Sequence, residues 1–571
     1  MKASETSLRN LLEGGKQFQI PLFQRPYSWQ EENWKTLWED LISLYNDEVK
    51  GAYFLGPIVT QALPGTADGI SPYIVIDGQQ RLTTLSIVLA ALRNFIKKTD
   101  QQMADQVYEF YLINKYQKND DLYKILPTQD DQEVYKSIVQ SKKPKDIKKE
   151  GQIYKAFNFF EGQFKNPFGD EDIILDYAIF KSIILERLVL VNITSDDRDN
   201  PYLIFESLNY KGEELAQADL VRNYIFMQLP SELREEVYRN EWLPLQESFK
   251  ANMNHKPYAE ELTKAFWFYL RKDGEAVNQK EVYKAIKNRF DCYKKDSDNS
   301  TNAIKAELQN LIKFATYYQR LNFIEQEPEA KLRNWFKRLM RLDFTTCHIF
   351  LLNIYYEYEE ERLTLKKFEN ILQYLESYFV RRLFAGISTK SLGTVFNSLY
   401  SEVKKANPND LVEGLRTVLK NYDKTKVWPD DDAFRQGIIS ESVYTKSLSD
   451  RTKLLLEIIE ASLSKERVEP KNLTIEHIMP QTLSKEWKTM LGESHTNIHK
   501  KWLHTLGNMN LTGYNSELSN NPFEEKSLLL RDSNVTLNKY FQQGKVDVWN
   551  EEAIKNRAEY LADIATKIWT R

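Results

Sequence analysis

The chain has 571 residues, 42% hydrophobic and 28% charged, an ordinary balance for a folded protein with length for three or four domains of roughly 150 residues. Lys+Arg 78 against Asp+Glu 82 gives a net charge of -4, which excludes a basic polyelectrolyte; any nucleic-acid contact must concentrate its cations locally. The two cysteines, Cys292 and Cys347, form no CxxC pair, which argues against a disulfide framework and a thiolate zinc site and fits a reducing compartment.

In chain order, residues 18–22 read as a short strand ending near Pro21, and residues 29–44 as an amphipathic helix with Trp34, Leu37, Trp38 and Leu41 on one face. Residues 53–61 and 73–76 read as strands, and a helix from Gln80 to about Lys98 completes a small α/β unit. Its apolar stretch, residues 82–92, is broken by threonines, closed by Arg81 and Arg93, and too short to cross a bilayer. The N-terminus has an early acidic residue and no apolar core of a signal peptide, so a cytoplasmic, soluble protein with no membrane partner is expected.

Helical patterns fill residues 100–180 apart from a Lys-rich loop at 141–149, and RLVLVNIT (187–194) is the next strand. After a polar turn at 196–200 comes IFESLNYKGEELAQADLVRNYIF, two helices around Lys211-Gly212. From about 226 to 465 helical periodicity dominates, with aromatic stripes (Phe266, Trp267, Tyr269; Tyr374, Tyr378, Phe379) at the spacing of a bundle core. Arg381-Arg382 on an otherwise apolar helix reads as buried salt bridges, or as a DNA-backbone contact or relay. Residues 468–472 look like a linker or strand entry ahead of a compact terminal domain, and the expected division is 1–225, 226–465 and 466–571.

Two constellations carry chemistry. YIVIDGQQRLTTL (73–85) joins a hydrophobic strand to a helix through an Asp-Gly turn. Such a junction leaves unpaired N–H groups and the positive helix end at Gly78, Gln79 and Gln80. Gly78 permits close backbone approach, and Arg81 in the first turn can fork onto phosphate oxygens. Asp77 suits a metal-bound water or a ribose hydroxyl, or simply caps the helix; the pattern leaves both readings open. Upstream, IPLFQRPYSW (20–29) packs Gln24, Arg25, Tyr27 and Trp29 into a Pro-bounded loop. Such a loop can clamp a base by stacking and a phosphate by Arg25, or staple its aromatic rings onto the next helix.

The order QRPYSW, YFLGPIV, VIDGQQRLTTL, IFESLNYKGEELAQADLVRNY resembles the N-terminal module of GmrSD-type modification-dependent restriction endonucleases, which is similar to the fold shared by ParB and sulfiredoxin. The resemblance implies binding and hydrolysis of an NTP (GTP or ATP), with Asp77, Gly78, Gln79, Gln80 and Arg81 around the phosphates. Gln24 and Arg25 match its first box; Asn209, Asp219, Arg222 and Asn223 match its later helical signature. There is no GxxxxGK[ST], so this is not expected to be a P-loop enzyme.

The second constellation lies where four of the six histidines gather: His477, His495, His499 and His504. LTIEHIMPQ (473–481) is followed by WLHTLGNMNLTGYNSELSNNPFEEK (502–526). Phosphodiester cleavage needs a nucleophilic water, a base and a cation on the scissile phosphate. His477 suits the base. Glu476 and an asparagine carbonyl such as Asn515 suit Mg²⁺. Asn508 can orient the imidazole or fix the loop, and Lys526 can meet phosphate. His495 and His499 have zinc spacing without an HExxH frame and read as surface histidines.

This second pattern resembles the HNH, or ββα-metal, nuclease domain at the C-terminus of the same family. The resemblance implies a catalytic His477 with Asn508, and Glu476 with Asn515 or Asn520 at a divalent metal. The fold expected is a multidomain, mainly helical α+β chain: a ParB/sulfiredoxin-like α/β module, a helical middle and an HNH-like ββα-metal domain. The function expected is a nucleotide-regulated, metal-dependent endonuclease that cuts modified or phage DNA, with homo-oligomers and partner modification or defence proteins left open. Its rival is an NTP-gated DNA-binding scaffold with an inactive nuclease domain.

Overall fold

A computed structural model describes residues 2–65, 69–142, 151–168, 175–195, 216–253, 258–293, 300–445, 448–463, 473–542 and 546–571. Most of the Lys-rich loop, the polar turn at 196–200, the segment around Lys211-Gly212 with Asn209, and the linker at 468–472 lie outside the described residues. The chain divides into two compact units, Met1–Glu247 with Ile286–Leu308, and Ser248–Ala285 with Gln309–Arg571. The expected boundaries after residues 225 and 465 each fall inside a unit. At the first, the helix Gln217–Gln228 runs straight through, and Phe226 beyond the boundary stacks on Phe23 at 5.6 Å.

The first unit is built on a mixed six-stranded sheet in the order β1-β6-β3-β4-β2-β5. The strands are β1 (Lys2–Ser7), β2 (Lys16–Gln19), β3 (Tyr53–Ala62), β4 (Ser71–Asp77), β5 (Ile125–Leu126) and β6 (Leu188–Ser195). β3 runs parallel to β6 and antiparallel to β4, while β2 is parallel to both β4 and β5. β2 stops earlier than the hydrophobic pattern suggested. Pro21 has no N–H for a ladder, and the Gln24 N–H turns back onto the Pro21 carbonyl at 3.0 Å. β1, a polar KASETS, was not legible as a strand because it is an edge with a largely exposed face, paired only with β6.

The helix Gln79–Ile96 is buried almost all round, which explains its continuous apolar run. Its polar core positions are satisfied across the unit: the Tyr27 hydroxyl meets Thr84 Oγ1 at 2.7 Å, and Ser86 Oγ meets the Tyr135 hydroxyl at 2.6 Å. The helix Glu31–Tyr45 buries the stripe Trp34, Leu37, Trp38 and Leu41, as its spacing predicts, with Trp38 edge-on to Phe164 at 5.1 Å. Arg187, expected as the first residue of β6, lies just before it. Its guanidinium donates to the Leu44 and Gly51 carbonyls, each at 2.9 Å, and so caps that helix's C-terminal end.

The second unit is mostly helical and contains a two-stranded antiparallel ribbon, β7 (Thr474–His477) with β8 (Met509–Thr512). Of the aromatic stripes, Phe266, Tyr269, Tyr378 and Phe379 are buried, while Trp267 and Tyr374 are half-buried. Arg381 and Arg382 are also buried, and neither reaches outward to a DNA backbone. Arg381 donates to the Trp569 and Pro429 carbonyls and to Asp431 at 2.6–3.0 Å; Arg382 donates to the Val427 and Ser388 carbonyls at 3.0 and 2.8 Å. No described helix is long and apolar enough to cross a membrane.

Candidate functional site

In the first unit, β4 ends at Asp77 and Gly78 turns the chain into the helix Gln79–Ile96. Gly78 has φ +88, the left-handed region, and a Cβ there would lie 2.9 Å from Ile58 Cγ1 and 3.1 Å from the Pro57 carbonyl oxygen. Both constraints select glycine. The loop 20–29 is held against this turn by two glutamines. Gln24 Nε2 donates to the carbonyls of Val75 and Ile76 at 2.9 and 3.0 Å. Gln80 Oε1 accepts the Ser28 N–H at 2.8 Å, and its Nε2 donates to the Pro26 carbonyl at 3.3 Å. Both therefore anchor the loop.

Three further groups flank the turn. Arg81 donates to the Pro57 carbonyl and lies 3.9 Å from Asp77. Burial pushes the Asp77 carboxyl up from its ordinary range, against the pull of Arg81, the Gly78 N–H and Arg25. Gln79 Oε1 is buried without a hydrogen-bond partner among the described residues. Arg25, Gln79, Gln80, Thr128 and Asp131 line a cleft of only about 10 Å³, room for about one water. Asp131, missed in the sequence, accepts the Tyr27 N–H at 2.7 Å and the Thr128 hydroxyl at 3.0 Å.

Asp219 and Arg222 form a buried i,i+3 pair at 2.9 Å on the helix Gln217–Gln228, and Arg222 also reaches Gln246 at 3.4 Å. Asn223 is buried on the same helix, its Oδ1 without a hydrogen-bond partner among the described residues.

In the second unit, β7 carries Glu476 and His477 opposite Asn510 and Met509 of β8. His477 is 5% exposed. Its Nε2 faces His504 Nδ1 at 3.2 Å, and the Tyr444 ring packs edge-on to His477 at 4.7 Å and stacks on His504 at 5.6 Å. Burial, reinforced by the charges of His504, Lys526 and His499, lowers the His477 pKa to about 4, so the ring is neutral near pH 7.

Asn508 closes the loop after β7. Its Oδ1 accepts from Met479 N at 2.8 Å and Trp549 Nε1 at 3.0 Å, and its Nδ2 donates to the Met479 and Leu503 carbonyls, both at 3.0 Å. That uses its full amide capacity. Of the two roles open to it, it fixes the loop and does not bond the imidazole.

Lys526 is fully buried, bonded to Glu476 Oε1 at 2.5 Å and to the His477 carbonyl at 3.0 Å. The contact expected with phosphate is thus replaced by a buried pair. Burial raises the Glu476 pKa and lowers that of Lys526, each against the attraction of the other. Asn515 is exposed at the start of the short helix Asn515–Leu518, and Asn520 is exposed just beyond it. His499 Nε2 lies 2.9 Å from the Pro480 carbonyl, while His495 Nδ1 lies 3.2 Å from Thr496 Oγ1. Among the described residues, no three His, Cys, Asp or Glu side chains are arranged to hold a metal ion.

Two supports escaped the sequence reading. Arg557, wholly buried in the helix Glu551–Ile568, donates to the Gly507 and Met509 carbonyls at 2.8 and 2.6 Å and to Asn510 Oδ1 at 3.0 Å. Tyr444 is the other, and nothing in its local sequence marks it.

Residues 8–226 match the family model described as GmrSD restriction endonuclease, N-terminal domain. Residues 428–564 match that described as GmrSD restriction endonucleases, C-terminal domain. No curated protein matches the chain.

Proposed function

Because the chain belongs to the GmrSD restriction endonuclease family, we propose that it is a nucleotide-regulated endonuclease that cuts foreign or modified DNA with His477 as general base. The observation that carries this reading is the pairing of buried His477 with half-buried His504 at the end of a two-stranded ribbon. With Nε2 turned to His504, Nδ1 of His477 makes no hydrogen bond among the described residues and is the atom left to take a proton from water. A neutral ring is ready for that task at physiological pH. Asn508 positions the loop, and Tyr444 restrains both rings.

One carboxylate oxygen of Glu476 is held by Lys526; the other makes no hydrogen bond among the described residues. The helix opened by Asn515 packs beside β7. These two residues fit as hard oxygen ligands for Mg²⁺, a cation that otherwise keeps water and substrate phosphate around it. When bound, such a cation would polarise the scissile phosphate.

In the first unit, the reading assigns NTP phosphates to the helix start Gly78–Arg81, with Arg25 and Arg81 as cations. The cleft beside them is too small for a nucleotide, so the loop carrying Arg25 moves when one enters, or the phosphates sit at the rim. Gln24 and Gln80 serve as loop anchors, and Asp219, Arg222 and Asn223 as buried support. Asn209 keeps the role its motif implies.

The test is cleavage of plain and modified phage DNA with Mg²⁺ and ATP, GTP or a non-hydrolysable analogue. His477→Ala is expected to lower cutting by at least about 100-fold, and equal activity in wild type and variant sinks the assignment. Arg81→Ala is expected to lower NTP turnover by about 10-fold or more; unchanged turnover means the phosphates bind elsewhere.

A further inference from the structure

The helical part of the second unit holds a cleft of about 370 Å³ that neither proposed site uses. One wall is the helix Leu392–Ala406, whose spacing of three and four residues sets Asn397, Tyr400, Ser401, Lys404 and Lys405 along one face. The other is the turn after the helix Tyr258–Arg271, carrying Lys272 and Asp273. Asn397 ties the walls together. Its Nδ2 donates to the Gly274 carbonyl at 2.9 Å and its Oδ1 accepts from Arg271 Nε at 3.1 Å.

The charge in this cleft is unbalanced. Its lining has three lysines against one aspartate, two net positive charges. Lys272 is 11% exposed, bonded to Asp273 at 2.7 Å, with its ammonium 4.7 Å from the Phe314 ring and 5.1 Å from the Tyr269 ring. Glu357, the acid that meets Lys404 at 3.0 Å, also takes Arg362 at 2.6 Å and the Tyr400 hydroxyl. Its charge is therefore already matched. Lys405 is exposed and has no ion-pair partner among the described residues, and Ser401 beside it is exposed with its hydroxyl available.

We propose that this cleft binds a small phosphate-bearing anion of nucleotide size. Its volume falls within the roughly 300–1,000 Å³ of small-molecule sites. The cations converge on one cleft, whereas a duplex presents its phosphates spaced along both strands. The ligand is thus a free polyphosphate or nucleotide, and the site is separate from the helix start at Gly78 and from the ribbon at His477.

Lysine footprinting on the full chain reads this site apart from any other. Limited acylation with mass-spectrometric readout, using inorganic pyrophosphate and ATP as probes, is expected to show Lys404 and Lys405 protected several-fold while Lys501, exposed elsewhere, is unchanged. Ser401→Asp, at an exposed position, is expected to weaken that protection by about 10-fold in probe concentration, 1.4 kcal/mol. Lys405→Glu gives a second variant with the same expectation at Lys404. Unchanged labelling at millimolar probe, equal protection in wild type and both variants, or protection by duplex DNA alone would each overturn the assignment.

Discussion

At His348 the protein buries an imidazole with one nitrogen uncompensated: the ring is 5% exposed and its Nδ1 has no hydrogen bond among the described residues. Burial lowers its pKa from 6.5 to about 4. Between those values the unfolded chain binds more protons than the folded one. Stability is therefore complete above pH 6.5 and is lost as pH falls towards 4, by up to about 3 kcal/mol from this residue. His348→Phe is expected to flatten that fall, and urea unfolding of both proteins at pH 7 and 4.5 measures it. Asn508 is the opposite case, a polar group with every atom partnered. Asn508→Ala is expected to cost about 3 kcal/mol or more, since Met479 and Trp549 lose buried partners. Cutting should fall with it although Asn508 holds no substrate; a variant of wild-type stability and activity would remove it from the positioning role. Its residue type was legible from the sequence as site chemistry, but whether it oriented the ring or the loop depended on partners elsewhere.

At the scale of elements, both sites depend on how a strand ends. The Asp-Gly junction after β4 was readable because left-handed backbone and close packing both demand glycine, a local requirement. Gly78→Ala is expected to destabilise the first unit by about 2 kcal/mol from backbone strain alone, with further loss from the contact at 2.9 Å to Ile58. Scanning calorimetry checks it, and an unchanged melt would contradict the geometry. The β7–β8 ribbon has only four paired positions, so it needs outside support. Arg557 supplies it by bonding the Met509 carbonyl and the Asn510 side chain of β8 and the Gly507 carbonyl just before it. Arg557→Met is expected to cost about 3–5 kcal/mol and to reduce DNA cutting, because it leaves those acceptors buried and unpaired. Arg557→Lys should rescue little, since an ammonium cannot reproduce the fork; full rescue by lysine would show that charge alone suffices.

At the scale of the whole molecule, the periodicity changes near 226 and 465 describe local composition, while the compact units follow contacts between distant segments. A fragment ending at residue 225 loses the stack of Phe226 on Phe23 and the bond from the Tyr224 hydroxyl to Asp291. It is expected to melt about 5–10 °C below the same unit in the full chain, and an equal melting temperature would show that residues 1–225 stand alone. The sequence by itself determined the family, the two motif clusters, most strands of the larger sheet and the identity of the candidate base, because residue type and short-range spacing carry that information. Only the tertiary structure decided which of those groups are engaged by other parts of the fold. Gln24, Gln80, Asn508 and Lys526 are each held by at least one residue 29 to 54 positions away. A hydrogen bond across that separation exists only once the chain has brought both ends together, so no local pattern records it.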